Sequence, residues 1–483
     1  MVRSSHCPRL IPNSNPPNLV RLCPMARSSP QAASFCPPAL PGLAGADATS
    51  RRRPWVLVGK KAYIAKRENA TTAWAVSSGG DAVEVSFCLA DPPALSHLCV
   101  HCPGLEGRRK NGGFSSEPVA AAADGAFVLL LLRFNFGPRA FFSDSGIRDY
   151  FVYSAGPGKP WLRRLPDPFP RKIQPREVGI ITLHGGGGGG GQDGFVVATL
   201  IPLLDARDRP GLPFDLHIFS SHAWEWRTVV PRLDASCEHS DKVLSHDTTK
   251  VIAIGGGFMG WVDLWRGILL CDVLSDDPVV RLIPLPKPMV SRAWKCCPQL
   301  IRDVTSTNNV LSFVEMQFPK RPEDDLKPSY WDMSISDSDS DSDSDATGLS
   351  QVSHGWRAAT WKRSLFDSKE HWIKDCSVDS AEILCGDPSC FRVLPELWDA
   401  KAGRLSLKNL KSSAPVLSMH DDGVVYMMST LKNSNGQEAW VAAFDVRKGE
   451  LKALAPFSAK TMLSFDDICR PCSFSNYLGM AAG

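Results

Sequence analysis

No apolar run in this 483-residue chain is long enough to cross a bilayer as a helix. The longest, Ala126 to Leu132, stops far short of the ~20 residues a spanning helix needs, so no membrane partner is expected. Nor does one sign of charge dominate. The formal net charge is +3, and its extremes sit in two low-complexity pieces. Residues 1–53 hold seven Arg against one acid, Asp47, while residues 322–345 hold nine acids against Lys327. No broad basic field remains elsewhere, which argues against nucleic acid as a partner. Hydrolytic signatures are missing too: there is no G-x-S-x-G elbow and no H-E-x-x-H pair. The 15 Cys are odd in number and irregularly spaced, with no secretory signal ahead of them. Reduced thiols and an address in the cytoplasm or nucleus are therefore expected.

What is present is globular: 43% of residues are hydrophobic and 22% charged. Single cores stop growing near about 250–300 residues, so the chain needs two domains or a closed, repetitive architecture. Gly and Pro stand at 38 each, a density of punctuation that favours many short strands over long helices. Residues 1–53, rich in Pro, Ser and Arg, cannot build a core and read as a disordered extension. Their Arg/Ser-rich, acid-poor composition also fits a chloroplast or mitochondrial transit peptide. A third reading is a spurious upstream stretch, with translation starting at Met25.

From Trp55 onward a pattern recurs of strand, turn and second strand, often stopping at Leu-Pro. Asp149 to Ser154 runs through Gly156-Pro-Gly-Lys-Pro to Leu165-Pro166, and Asp215 to Ser220 runs through Trp224 to Val230-Pro231. Gly267 to Leu274 leads to Ile283-Pro284, and Trp440 to Val446 leads to Ala455-Pro456. Trp356-Arg-Ala-Ala-Thr-Trp is a weaker copy, and Gly80 to Val100 supplies a further one. Such pairs match the outer strands of propeller blades, so the expected fold is all-β, a β-propeller-like unit of about six degenerate blades over 54–480. The alternative is two packed β-sandwich-like domains. Phe258 to Leu274 reads as a buried hairpin with Trp261 in the core and Trp265-Arg266-Gly267 as its turn, Gly267 supplying φ > 0. The rival reading makes Trp261 and Trp265 an exposed recognition patch.

Two insertions cannot pack: the glycine run Gly185 to Gly191 and the Ser-Asp run Ser336 to Asp345 within a disordered acidic stretch, 322–350. Ser336, Ser338, Ser340 and Ser342 each have Asp three residues downstream, which suits acidophilic kinases. Phosphates there would add about −1.5 to −2 charge each to a loop that already repels itself.

Several motifs reduce to bland readings. Gly255-Gly-Gly-Phe-Met-Gly260 fits G-x-G-x-x-G after the strand Val251-Ile-Ala-Ile, but Trp261-Val-Asp-Leu-Trp continues as strand where a dinucleotide site needs a helix. Gly156-Pro-Gly-Lys-Pro lacks both the Ser or Thr and the helix of a phosphate loop, and reads as a hairpin turn. His97, Cys99 and His101 share one strand face. Cys99 and Cys102, with Cys469-Arg-Pro-Cys472 near the other end, form a weak candidate zinc set against the simpler reading of buried structural thiols. No catalytic residue, cofactor or metal is assigned.

Gly260-Trp-Val-Asp-Leu-Trp-Arg-Gly-Ile-Leu-Leu-Cys-Asp-Val-Leu274, followed by Arg281-Leu-Ile-Pro-Leu-Pro286, resembles the plant family called domain of unknown function 1618. Phe313-Val-Glu-Met, Trp356-Arg-Ala-Ala-Thr-Trp and Leu394-Pro-Glu-Leu-Trp-Asp fit it as well, and the similarity extends over roughly 54–480 around a core of 260–400. The resemblance implies a grass-expanded family similar to propeller-like recognition regions of some F-box proteins, although no F-box is visible here. It implies no substrate, cofactor or catalytic residue. The expected role is a non-enzymatic protein-interaction module with an unknown protein partner. An enzyme or small-ligand sensor with a site in the central channel is the alternative. Far-ultraviolet circular dichroism of the chain should show less than about a third helix, and a larger fraction would overturn the all-β reading.

Overall fold

The computed structural model describes residues 54–479, apart from 107–112, 136–146, 168–172, 185–192, 203–213, 236–242, 244, 290–296, 319–354, 366–370, 386–389, 400, 402–403, 408, 432–437 and 459–468. The extension 1–53, the glycine run and the Ser-Asp run with Ser336, Ser338, Ser340 and Ser342 lie outside the described residues.

Strand pairing shows six small, mainly antiparallel sheets, arranged in a ring as the blades of a propeller. Blade 2 shows how the sequence makes one. Its strand Phe127–Asn135 comes from the apolar run seen at the outset, which has no alternation because both its faces are covered. Val128, Leu130 and Leu132 point into a core shared with blade 1. Phe127, Leu129 and Leu131 point into a core shared with blade 3. The strand pairs with Val119–Asp124 on one side and Ile147–Ser154 on the other, and Trp161–Arg164 completes the blade.

Blade 3 follows as Val178–Leu183, Gly194–Pro202, Phe214–Ser220 and Glu225–Val229 in order. Blade 4 is Lys250–Gly255, Phe258–Asp263, Gly267–Asp272 and Val279–Pro284, with Arg232–Leu233 added in parallel at its edge. Blade 5 is Arg302–Thr307, Val310–Gln317, Arg357–Ser364 and Ile373–Asp379. Blade 6 is Leu410–Leu417, Val424–Leu431, Glu438–Asp445 and Glu450–Ser458, with Leu384–Cys385 parallel at its edge. The strand pairs within 149–166, 215–231, 267–284 and 440–456 occupy the outer positions of their blades, whereas the pair within 80–100 lies inside Ala73–Val76 in blade 1.

Blade 1 closes the ring. Its strands Ala73–Val76, Ala82–Cys88 and Leu95–His101 continue through Val56–Gly59 to the C-terminal strand Cys469–Cys472, which is innermost. Val56 pairs with Cys472 and Gly59 with Cys469, so the two ends of the described chain are tied by backbone hydrogen bonds. Six hydrophobic clusters result, one between each pair of neighbouring blades. The ring therefore escapes the size limit of a single core.

The hairpin Phe258–Asp263 and Gly267–Asp272 illustrates the packing and corrects one detail. Met259, Trp261, Leu269 and Cys271 enter the core shared with blade 3, whereas Val262, Leu264, Ile268 and Leu270 enter the core shared with blade 5. Trp261 is fully buried and its indole N–H donates to the Glu177 carbonyl at 3.0 Å. Trp265 is half-buried, with the Arg302 guanidinium 4.4 Å from its ring centre. The exposed Trp261–Trp265 patch is therefore not formed. The turn is not built on a left-handed Gly267 either. Asp263 accepts the amides of Trp265 and Arg266 at 2.8 and 3.1 Å, and Gly267 pairs with Asp263 inside the strand. Glycine is required there by proximity, since a Cβ would lie 2.6 Å from the Ile283 carbonyl oxygen. Gly255, Gly256 and Gly257, by contrast, do take positive φ, in a two-strand turn with no helix after it. Truncating Trp261 to Ala should cost about 3–5 kcal/mol and give mostly aggregated protein. A soluble Trp261→Ala variant with unchanged denaturant midpoint would refute the packing described.

Candidate functional site

The inner strands of blades 1, 4, 5 and 6 converge on a cavity of about 50 Å³. Four cationic residues line it: Lys60, Lys250, Arg302 and Arg470, with Asp303 as the one acid of the lining. Each arrives from a different piece of local structure. Lys60 follows the first strand of the ring, and Arg470 faces Val58 across the closing pair. Lys250 opens the inner strand of blade 4, and Arg302 and Asp303 open that of blade 5.

Arg302 is already committed. It pairs with Glu315 at 3.1 Å, both side chains being buried, and donates Nη1 to the Leu264 carbonyl at 2.8 Å. Lys250 donates Nζ to Asp303 Oδ1, while Asp303 Oδ2 accepts the Leu417 amide at 2.9 Å. Arg470 donates Nη2 to the Ala121 carbonyl at 2.7 Å, and its buried Nε has no hydrogen-bond partner. Burial first, then the charges of Arg470 and Lys250, hold the Lys60 ammonium well below the ordinary lysine value of 10.5. Burial also lowers Arg470 and pushes the neighbouring Cys469 thiol up to about 12. The opposite wall is the inner strand of blade 6, where the register shifts between Ser413 and Val416 and Ala414 sits at φ 51°. A non-glycine residue there stores of order 1–3 kcal/mol, the kind of strain that gathers at functional sites.

Of the candidate zinc set, Cys102 and Cys472 share the core between blades 1 and 2, whereas Cys469 lies in that between blades 6 and 1. Cys469 and Cys472 lie three apart on an extended strand, so one enters the core between blades 6 and 1 and the other that between blades 1 and 2. Cys99 hydrogen-bonds with Cys88, which draws the Cys88 thiol down to about 7, whereas Cys102 packs in the core between blades 1 and 2 and rises to about 12 through burial. His97 sits edge-on to Tyr63 and falls to about 4, again through burial. His101 lies 4.0 Å from Glu84. Among the described residues, no three His, Cys, Asp or Glu side chains are grouped to hold a metal ion.

The channel cations went unrecognised in the sequence because they are separated by up to 410 residues. Arg470 lies inside the Cys-x-x-Cys pair, which drew attention to its thiols, and Lys60 looks like an ordinary basic residue beside Lys61.

A second candidate lies on the outside of blade 6. The segment leading into it carries a short helix, Cys390–Val393, a 3-10 turn, Pro395–Leu397, and a small hairpin of Trp398–Asp399 with Arg404–Leu405. Ile383, Cys390, Leu394 and Leu397 anchor it in the core between blades 5 and 6. Leu384 and Trp398 point the other way and are 62% and 48% exposed.

Residues 261–426 match the family described as "Protein of unknown function (DUF1618)". No curated protein matches the sequence. Among solved structures, the chain is similar to the WD40 domain of SCAP from fission yeast at 11% identity and a TM-score of 0.27, over 80% of this chain and 76% of that one. A structure of prolyl endopeptidases is similar at 11% identity and TM-score 0.27, over 86% of this chain and 51% of that one. A Bombyx mori GH32 beta-fructofuranosidase follows at 10% identity and TM-score 0.25, over 71% and 60%.

Replacing Lys60 with Met should raise the melting temperature at pH 7 by a few degrees. The unfolded state holds the Lys60 proton more tightly than the folded state, so the native chain gains stability as pH rises toward 10.5. The advantage of the Met variant should accordingly shrink by pH 10, as measured by urea unfolding at both pH values.

Proposed function

Residues 261–426 match a family of unknown function, and we propose that the chain is a non-enzymatic protein-interaction module. The observation that carries this reading is the blade 6 insertion, which lies inside the matched region. Its inner residues fix it to the ring, while Leu384, Val393 and Trp398 remain exposed on it. Exposed Trp on a rigidly held loop is the usual composition of a binding hot spot. A propeller supplies the rigid frame such a loop needs. The partner is a protein with a complementary apolar pocket.

A second reading, a small-ligand site in the channel, has the convergence of Lys60, Lys250 and Arg470 in its favour.

The interaction reading is tested with the full chain as bait in a grass-tissue lysate, beside a Leu384→Ser/Trp398→Ser double variant. The double variant should melt within a degree or two of the native chain and lose the proteins that the native chain captures. Equal capture by both baits, or no capture above a bare-resin control, would remove the insertion as the interaction surface.

A further inference from the structure

The crevice between the outer edges of blades 2 and 3 is walled by aromatic rings around one cation. Trp161 and Arg163 lie two apart on the outermost strand of blade 2, Trp161–Arg164, so alternation turns both to the same side. Trp224 comes to that side from the turn between the last two strands of blade 3. The Arg163 Cζ stands 5.1 Å from the ring centre of Trp161 and 5.5 Å from that of Trp224. Phe195, buried in the core shared by the two blades, lies 6.5 Å from Trp161 and 6.3 Å from Trp224, nearly perpendicular to the latter at 82°. Two features set this arrangement apart from ordinary packing. Arg163 is exposed, and among the described residues no carboxylate or hydrogen-bond acceptor partners it, so the two indoles hold it. Trp224 takes φ 56°, a left-handed backbone that a bulky side chain rarely adopts and that gathers at binding sites.

We propose that this crevice is a cage for a trimethylated lysine of a partner protein, with Arg163 as the resident cation that the ligand displaces. The chain's own guanidinium shows which chemistry the rings accept: a weakly hydrated cation set against the negative faces of two indoles. Such contacts are weak at exposed sites, so Arg163 leaves at small cost and returns to water. A trimethylammonium group has no N–H donor, and placing it between the rings strands no hydrogen bond. Trp161 and Trp224 are only half-buried, which leaves the crevice open to solvent. An open site suits a head group carried on a long protein side chain, whereas a free small molecule needs enclosure on most sides. The cage shares no residue with the blade 6 insertion, and its fate is separate from that of the interaction surface.

The test titrates the full chain with a short glycine-serine peptide carrying one trimethyl-lysine, with its unmethylated counterpart and with choline. Ionic strength is held constant with sodium chloride, and tryptophan fluorescence and calorimetry give the affinities. The trimethylated peptide should bind saturably, and the unmethylated one about tenfold more weakly or less. Arg163→Ala should bind the trimethylated peptide about tenfold more tightly, because the resident cation no longer competes. An arginine that merely packs on the rings gives no such gain. Trp161→Ala and Trp224→Ala should lose the binding. Should either tryptophan variant fail to fold, the comparison of Arg163→Ala with the native chain decides. Choline bound as tightly as the trimethylated peptide supports the cage and assigns it to a small quaternary amine. Absence of saturable binding by both the native chain and Arg163→Ala overturns the proposal. So do equal affinities for the two peptides, an Arg163→Ala variant with no gain, or folded tryptophan variants that bind like the native chain.

Discussion

The pairing of Val56–Gly59 with Cys469–Cys472 is the contact on which the rest of the molecule depends. It closes the ring, and its register decides where each neighbouring side chain goes. Leu57 and Cys469 enter the core between blades 6 and 1, whereas Val56, Val58 and Cys472 enter the core between blades 1 and 2. A slip of one residue would exchange these faces and turn both cores inside out. The same register brings Lys60 and Arg470 to the channel, so fold closure and candidate site are one event.

Stability is distributed over six thin cores, and this explains features of composition that look odd one at a time. Strands such as Phe127–Asn135 are apolar on both faces because each face belongs to a different core. The tryptophans do double service. Trp226 donates to the Pro166 carbonyl, Trp261 to Glu177 and Trp372 to Pro284, at 3.0, 3.0 and 2.8 Å. Each bond reaches from one blade back to the preceding one, so the indole adds direction to what burial alone leaves non-directional. Two of the three acceptors are the Leu-Pro and Ile-Pro stops that end the outer strands. Asp124, accepting the Thr182 amide at 2.7 Å, makes a comparable link from blade 2 to blade 3.

The channel follows a different logic from the cores around it. There, buried cations and a left-handed alanine, both unfavourable for folding, lie within one small volume beside a thiol that burial keeps protonated. The insertion on blade 6 is the opposite case, with its apolar side chains divided between core and solvent.

The sequence by itself determined the outer hairpins and the core role of Trp261. Asp149 to Arg164 and Gly267 to Pro284 are local: alternation sets the faces and the turn residues between the strands set the register, so a short window contains the whole cause. It also marked the chain as too long for one core and too punctuated for helices. Only the tertiary structure decided which strand lies innermost in each blade, that the final strand completes the first blade, and that Gly267 is there for closeness and not for its φ. It alone separated Cys469 from Cys472 and joined Lys60 to Arg470. These outcomes depend on contacts between residues hundreds of positions apart, and no local periodicity encodes which distant strand supplies the other half of a face.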